Sequence, residues 1–400
     1  MKTSAFLYPW DVVGDPDAAR RLAELGVRQA TLASAYHSTR ALTPRHPRHL
    51  IVTAPHSAVY YPVDELRWDG QPLRPYPQDW VTGPDPYREA AAALADAGLE
   101  VHSWVVLAHN SWLGEEHRDS CVVNAYGDRY PWAPCIARPE VRSYLTLLAA
   151  EAAVRPGACG TELESCGWYG LAHLHAHDKI AGVPFTGAGQ YLMSLCFCAD
   201  CRDGYASLGE DPDALRAAVA GALAPLRSGE PLSGGGDRAD EWAEIEARLG
   251  AHRAAVVARW RHLVAHSLQR EVVAAVRDAA HDPGFRVLLH ADPAPHRCGA
   301  NVGVEPAEIL SFTDGLVLPG TGGPQARIDS LVPFAPYRTD ATTLAANFTI
   351  VAGMGGSPAT LAEDAAHAKE LGADEIRLYH AGLASDTDLA AVRAALSRLD

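Results

Sequence analysis

Regular alternation of short apolar segments with helical patterns constrains this chain more than any other feature of its sequence. Eight segments have the apolar or alternating pattern of a strand, and most are separated by a helical pattern. They cover residues 5–9, 29–36, 100–107, 160–164, 286–290, 315–318, 344–351 and 375–379. Such alternation indicates a parallel sheet, and eight units suit a closed barrel. We therefore predict an α/β fold, a (β/α)8 TIM barrel.

An open, doubly wound sheet is the structural alternative to the closed barrel. That fold usually carries a glycine-rich phosphate loop after its first strand. The first predicted strand here leads into Tyr8-Pro9-Trp10-Asp11, which has no glycine. The barrel is therefore the favoured interpretation.

A long segment between the fourth and fifth predicted strands, residues 166–283, is predicted to be a helical insertion. It contains predicted helices at 212–227 and 241–280, with three consecutive glycines in the 228–237 stretch between them. A glycine run of this kind is typical of a disordered loop and not of a domain boundary. We therefore expect one barrel domain over residues 1–400 that carries this insertion.

Charge and composition exclude several classes of protein. The net charge of −15 is spread along the chain, which disfavours nonspecific binding to nucleic acid or to an anionic membrane. No run of 18 or more apolar residues is present, and the first ten residues turn polar too soon for a signal peptide. We expect a cytoplasmic protein whose eight cysteines are free thiols or metal ligands, not disulfides.

Three cysteines, Cys196, Cys198 and Cys201, form a C-x-C-x-x-C cluster. Thiolates this close can bind one zinc ion, which takes four ligands in a tetrahedron when its role is structural. Cys135 is the leading candidate for the fourth ligand, ahead of Cys166 and Cys121. The alternative is that the thiols are buried and simply pack. Four cysteine ligands would leave no open position, so we expect a structural zinc and no organic cofactor.

The order of motifs around this cluster resembles glycoside hydrolase family 42 β-galactosidases. Gly127-Asp128-Arg129-Tyr130 comes first, followed by Cys135, Pro139-Glu140-Val141-Arg142, a strand bearing glutamate, and the three clustered cysteines. The resemblance covers residues 120–205. It implies a barrel with a four-cysteine zinc site, one ligand before strand four and the cluster after it. It also implies an enzyme that acts on a carbohydrate or glycoside.

The resemblance further implies an acid/base glutamate at the end of strand four, within an Asn-Glu pair followed by Tyr-Gly. Glu164 is the nearest match, although Leu163 replaces the asparagine. The family's nucleophile is a glutamate at the end of strand seven, but residues 344–353 contain no carboxylate. The second carboxylate comes from another strand, or the chain is an unassigned branch of such barrels, or hydrolysis has been lost.

Strand geometry independently points to Glu164. Side chains alternate along a strand, so Glu162 and Glu164 share one face, and only the one nearer the open end suits an exposed carboxylate. Asp292 follows strand five, again at a carboxyl end. Two carboxylates flanking a glycosidic bond are the usual hydrolytic machinery. We predict Glu164 as acid/base and Asp292 as its partner; the alternative for each is a solvated acid or a helix cap.

Polar and aromatic residues near several strand ends are predicted to contact the substrate. Neutral donors and flat aromatic faces suit a polyhydroxylated ligand, whereas a lone histidine is often purely structural. The predicted substrate-binding residues are Trp10, His37, His109, Asn110, Trp112, Glu162, Trp168, His290, Tyr379 and His380.

Two other functions remain open at this stage. A noncatalytic sugar-binding barrel would explain the missing strand-seven carboxylate. A metal-dependent hydrolase could use the alternating His173, His175 and His177, although strand one lacks the histidines that metal-dependent amidohydrolase barrels carry there. Oligomeric state is also open, since related barrels often assemble into homo-oligomers.

Overall fold

A closed barrel of parallel strands forms the centre of the computed structural model, which describes residues 1–171, 179–180, 182–183, 185–229 and 238–399. Among these residues each barrel strand pairs with the next in sequence, and the eighth pairs with the first. The strands are β1 (Lys2–Leu7), β2 (Gln29–Tyr36), β3 (Glu100–Val106), β4 (Gly160–Glu164), β5 (Arg286–Asp292), β6 (Gly315–Pro319), β7 (Thr343–Thr349) and β8 (Glu375–Tyr379). The predicted TIM barrel is confirmed.

Some predicted strand boundaries differ from the structure, among them the ends of β1 and β5. β1 ends at Leu7 and not at Pro9, because Pro9 begins a 3-10 turn, Pro9–Asp11. Proline has no N–H to donate to a sheet, so it suits the start of that turn. β5 continues to Asp292, two residues beyond the predicted end. The predicted bounds of β2, β4 and β8 match the structure.

Helices cover the outside of the barrel and fill the connection between β4 and β5. They are α1 (Ala18–Glu24), α2 (Pro86–Asp96), α3 (Ser111–Glu116), α4 (Pro139–Ala153), α5 (Gly187–Met193), α6 (Ala199–Ser207), α7 (Pro212–Ala222), α8 (Glu241–Leu249), α9 (Ala251–Ala280), α10 (Pro306–Ile309), α11 (Gly323–Leu331), α12 (Leu361–Glu370) and α13 (Asp386–Leu396). Helix α9 packs against α4, which joins the β4–β5 connection to the barrel wall.

The helix predicted over residues 241–280 is two helices, α8 and α9. Gly250 separates them with a φ of +79°, in the left-handed region that side chains other than glycine rarely adopt. Its N–H still bonds to the Glu246 carbonyl oxygen at 2.9 Å, which closes the last turn of α8. A glycine at this position therefore ends one helix and lets the next begin at a new angle.

Two short antiparallel hairpins lie outside the barrel. Thr39–Leu42 pairs with Ile51–Ala54, where the sequence predicts one extra strand near residues 50–52. Cys121–Val123 pairs with Arg129–Pro134, immediately before Cys135 and α4. The second hairpin packs against α3, and it thereby connects the top of β3 to the cysteine cluster. In the described part of the chain, no helix is both long and apolar enough to cross a bilayer.

An ion pair inside the barrel determines the position of the residues above it. Arg377 of β8 donates from Nε to Glu162 Oε1 of β4 at 2.7 Å, and both side chains are fully buried. Thr31 and Gln29 of β2 donate to the same oxygen at 3.1 and 3.3 Å. A buried charge without partners is very costly, so these contacts fix the height and direction of β4. Glu164 then lies on the same face, nearer the open end.

Candidate active site

Glu164 ends β4 as a buried carboxyl group, which has one hydrogen-bond partner among the described residues. The indole Nε1 of Trp104, on β3, donates to Glu164 Oε2 at 2.8 Å. Burial raises the pKa of Glu164 to about 7, although the Trp104 hydrogen bond acts in the opposite direction. A carboxyl group with this pKa exchanges a proton readily near neutral pH, which is what a general acid and base requires.

The residue after Glu164 has an unusual backbone conformation. Ser165 has a φ of +56°, a left-handed value that is uncommon for residues other than glycine. Its N–H bonds to the Ala300 carbonyl at 3.0 Å, and its own carbonyl accepts from the Ala108 N–H at 3.0 Å. These contacts turn the chain sharply at the end of β4. Conformations of this kind cluster at active sites, where they hold a side chain in place.

Three tyrosines from neighbouring strand ends meet beside Glu164. Tyr36 ends β2, Tyr379 ends β8, and Tyr8 follows β1. The hydroxyls of Tyr36 and Tyr379 are 3.4 Å apart, and the Tyr8 and Tyr36 rings lie 4.9 Å apart, edge to face. Burial raises the pKa of Tyr36 and of Tyr379, and the Glu164 charge adds to both shifts. This tyrosine cluster therefore presents neutral hydroxyls next to the acid.

Two predicted histidines lie on the same side of the barrel mouth. His109 stacks on Tyr169 with centroids 4.6 Å apart, and the His37 ring lies 4.7 Å from His109. His109 Nδ1 is 3.0 Å from the Trp132 carbonyl oxygen of the second hairpin. The Glu164 charge contributes to a raised pKa for Tyr169, after burial. His37, His109, Tyr169 and Tyr379 are thus gathered around Glu164, as a polar substrate site needs.

The three tryptophans predicted to stack on a sugar have different surroundings. Trp168 donates from Nε1 to the Arg261 carbonyl at 2.8 Å, with the Arg261 guanidinium over its ring, so it packs beneath α9. Trp10 is only 1% exposed and stacks on Tyr8 at 4.3 Å. Trp112, on α3, is 37% exposed and adjoins His56. Neither Trp10 nor Trp168 has a free face for a sugar ring.

Asn110, predicted to contact the substrate, caps a helix. Its side-chain oxygen accepts from the Leu113 N–H at 3.0 Å, which caps α3. Its amide nitrogen donates to the Tyr144 hydroxyl at 3.3 Å. Both ends of the amide are therefore occupied within the protein.

Glu162, His290 and His380 belong to the floor of the site and not to its surface. Burial alone would raise the pKa of Glu162, but Arg377 and His102 lower it to about 2. Burial lowers the pKa of His290 to about 4 and that of His380 to about 3, so both imidazoles stay neutral. All three residues are buried. Their burial favours a structural role, and the predicted contact with substrate stays a prediction.

Asp292 is the last residue of β5, the strand that pairs with β4. Its carboxylate contacts the Arg238 guanidinium and accepts the Ala294 N–H at 2.8 Å. Residues Val302–Gly303 pair with the end of β5, while the Ala300 carbonyl binds the Ser165 N–H after β4. This segment therefore lies between the two strand ends. The described contacts do not bring the two predicted catalytic carboxylates together.

Strand seven offers an amide where a second acid was expected from the resemblance. Asn347 is the β7 residue in register with Arg377, so it lies on the inner face of the barrel. Among the described residues its buried Oδ1 has no hydrogen-bond partner. Asn347 thus joins several inner polar groups of the described residues, His290 and His380 among them, that have a side-chain atom without a hydrogen-bond partner.

The four predicted zinc ligands converge on one point. Cys135 precedes α4, and Cys196, Cys198 and Cys201 surround the start of α6; all are buried, with their sulfurs within 4.8 Å of one another. Cys135 Sγ is 3.6 Å from Cys198 Sγ and 3.7 Å from Cys201 Sγ. Zinc–sulfur bonds of about 2.3 Å in a tetrahedron place the sulfurs about 3.8 Å apart, so the cluster has the dimensions of a zinc site.

Two backbone N–H groups donate to a sulfur of the cysteine cluster. The N–H groups of Val123 and Cys198 each point to Cys196 Sγ at 3.4 Å. Hydrogen bonds of this kind orient and stabilise thiolate ligands. The other two cysteines considered from the sequence, Cys121 and Cys166, do not belong to this group. Cys121 Sγ contacts the Gly114 carbonyl instead. Cys166 is buried, and burial raises its pKa to about 12. The alternating His173, His175 and His177 fall outside the described residues.

Comparison with known proteins supports the fold but gives no sequence-level relative. No protein-family model matches the chain, and no curated protein sequence matches it. Among solved structures, α-L-fucosidase isoenzyme 2 from Paenibacillus thiaminolyticus is similar, with a TM-score of 0.58 and 11% identity over 100% of this chain and 49% of that one. The PgaB (BpsB) glycoside hydrolase domain from Bordetella bronchiseptica has a TM-score of 0.58 and 14% identity over 99% of each chain.

A catalytic mutant of a GH42 β-galactosidase from G. stearothermophilus is also similar, with a TM-score of 0.55 and 12% identity. The alignment covers 100% of this chain and 56% of that one, so the chain spans about half the length of the galactosidase and of the fucosidase. The resemblance to family 42 is confirmed at the level of the fold. The barrel is therefore of the kind found in glycoside hydrolases.

Proposed function

We propose that this protein is a glycoside hydrolase-like enzyme that acts on a carbohydrate or glycoside, with Glu164 as its acid/base. The observation that supports this most strongly is Glu164 itself, buried at the carboxyl end of β4 with a pKa of about 7. Active sites of (β/α)8 barrels lie at this end of the strands. A carboxyl group that is kept protonated near neutrality by burial is the usual acid of glycoside hydrolysis.

In the proposed reaction Glu164 gives its proton to the glycosidic oxygen as the bond from that oxygen to the anomeric carbon breaks. The resulting carboxylate then takes a proton from a water molecule as the water oxygen forms its bond to the anomeric carbon, which completes hydrolysis and returns Glu164 to its acid form. Trp104 holds the carboxyl oxygen in place through its 2.8 Å hydrogen bond. The hydroxyls of Tyr36 and Tyr379 and the rings of His37 and His109 would bind the sugar hydroxyls.

Asp292 stays the proposed second carboxylate, with Arg238 as its counter-charge. Its role requires that substrate reach across the Val302–Gly303 segment, which pairs with the end of β5.

We also propose that Cys135, Cys196, Cys198 and Cys201 bind a structural zinc. The ion would hold the second hairpin, and with it Trp132 beneath His109, against α6.

The test compares kcat on glycosides with poor and with good leaving groups. This comparison distinguishes loss of the acid from a disruption of the fold, which would slow both reactions. Glu164→Gln should lose at least about 100-fold in kcat on glycosides with poor aryl leaving groups. It should lose far less on dinitrophenyl glycosides, which depart without a proton. Glu363→Gln, an exposed glutamate on α12, is the control and should leave both rates unchanged. Equal losses on both substrates in Glu164→Gln would reject the acid role.

A noncatalytic sugar-binding barrel is the second candidate. Two observations favour it: β7 carries Asn347 in place of a carboxylate, and Asp292 is engaged by Arg238. Under this alternative no glycoside in the panel is hydrolysed, whereas calorimetry detects sugar binding that Glu164→Gln leaves intact. Measurable turnover that requires Glu164 would exclude it.

A further inference from the structure

Two histidines and a glutamate converge on the outer face of α9, far along the chain from the cysteine cluster. His262 and His266 are four residues apart and so lie on one side of the helix. Glu308 belongs to α10, in the connection between β5 and β6. His262 Nε2 and His266 Nδ1 each lie 3.1 Å from the same Glu308 oxygen, Oε2.

The spacing of these three atoms matches a metal site. All three potential ligand atoms lie within 4.8 Å of one another. Metal–nitrogen bonds of about 2.0–2.1 Å in a tetrahedron place neighbouring ligand atoms about 3.3 Å apart, close to the observed separations. The two imidazole rings are 5.5 Å apart and inclined by only 24°, so their nitrogens approach the carboxylate from one side.

The donors have the right chemistry and are accessible. The side chains of His262, His266 and Glu308 are 32%, 27% and 46% exposed, so an ion can reach them and keep a water as fourth ligand. Two imidazoles and one carboxylate suit zinc, copper or nickel far better than magnesium or calcium.

We propose that His262, His266 and Glu308 form a site for a divalent transition metal, of which zinc is the simplest probe. The site is independent of the glycoside hydrolase proposal and separate from the four cysteines. A bound ion would join α9 of the β4–β5 connection to α10. Because α9 precedes β5 in the chain, the ion would brace the helix that leads into the start of that strand.

The alternative is a metal-free triad in which each imidazole donates a hydrogen bond to Glu308. His266→Gln discriminates between the two, because glutamine can still donate to the carboxylate but is a poor metal ligand. His252→Ala is the matched control: His252 lies on the same helix and pairs with Glu210 at 3.2 Å, but it has no histidine four residues away.

The experiment is a titration of the full chain with Zn²⁺ against a chromophoric indicator, together with thermal unfolding. We expect one tight equivalent at the cysteines and one weaker equivalent that raises Tm. His266→Gln and the His262→Ala/His266→Ala variant should weaken that second equivalent by roughly tenfold or more, while His252→Ala and Cys196→Ser should retain it. A second equivalent unaffected by either histidine variant, or absent from the wild type, would overturn the proposal.

Discussion

Glu162 and Glu164 are two residues apart on β4, yet their surroundings give them opposite properties. Both are buried, and burial alone raises the pKa of each. Arg377, aided by His102, reverses the shift at Glu162 and brings its pKa to about 2. Among the described residues, Glu164 accepts a hydrogen bond from the Trp104 N–H alone, and its pKa stays at about 7. Environments that separate two carboxyl groups in this way usually separate their roles. We therefore assign Glu162 a structural role and propose the acid role for Glu164.

Glu162→Gln tests this division of roles through stability. The substitution leaves the fully buried Arg377 guanidinium without its counter-charge, so the free energy of unfolding should fall by about 3–5 kcal/mol. Urea unfolding at neutral pH measures the change, with Glu363→Gln as the exposed control expected within about 0.5 kcal/mol of the wild type. Unchanged stability with weakened sugar binding would restore Glu162 as the substrate ligand that the sequence predicted.

Individual site residues were predictable where strand alternation decides direction. Glu164 follows from alternation and from its place at a strand end. Trp104 could have been found in the same way, because it lies two residues after His102 on β3 and so shares a face with it. Tyr169 could not have been predicted in this way, because it lies in an irregular loop where the sequence does not determine the direction of each side chain. Trp168, its neighbour, is the one that packs under α9. Only the tertiary contacts distinguish the two.

At the level of elements, the cysteine cluster connects pieces that have little secondary structure of their own. The second hairpin and the start of α6 are joined through Cys135 and the three cysteines near residue 200. The C-x-C-x-x-C spacing made three members of the cluster predictable. The fourth depended on a long-range contact, yet the favoured choice, Cys135, is the one that the structure brings to the cluster.

Cys201→Ser should remove the tightly bound zinc, because three thiolates and a hydroxyl bind the ion far more weakly than four thiolates. Metal analysis after gel filtration should find the zinc lost, and Tm should fall by several degrees as the hairpin separates from α6. Cys298→Ser, a partly buried cysteine outside the cluster, should keep the metal. A full zinc complement in Cys201→Ser would contradict the four-cysteine site.

Helices were less predictable than strands for a physical reason. α3, α5, α6 and α11 are short, with glycine, cysteine or proline among their residues, so local propensity gives little signal. Packing against neighbours stabilises them instead. The division of residues 241–280 into α8 and α9 also escaped the sequence pattern, because a single glycine, Gly250, does not interrupt an apolar periodicity.

For the whole molecule, repetition of one unit made the fold predictable. Eight strand segments at intervals that allow a helical return define a closed parallel barrel with little ambiguity. The shape of the barrel mouth was not accessible in this way, because loop segments from distant parts of the chain meet there. Ala300 and the Val302–Gly303 segment lie at the ends of β4 and β5, and no local pattern predicts that placement.

The pH dependence of kcat/KM on a glycoside with a poor leaving group tests the central claim most directly. Glu164 must be protonated to act as the acid, so the rate should fall as pH rises through about 7. Trp104→Phe removes the hydrogen bond that lowers this pKa, so the falling limb should move to higher pH. A limb that Trp104→Phe does not move, or that persists in Glu164→Gln, would contradict the assignment of Glu164 as the acid.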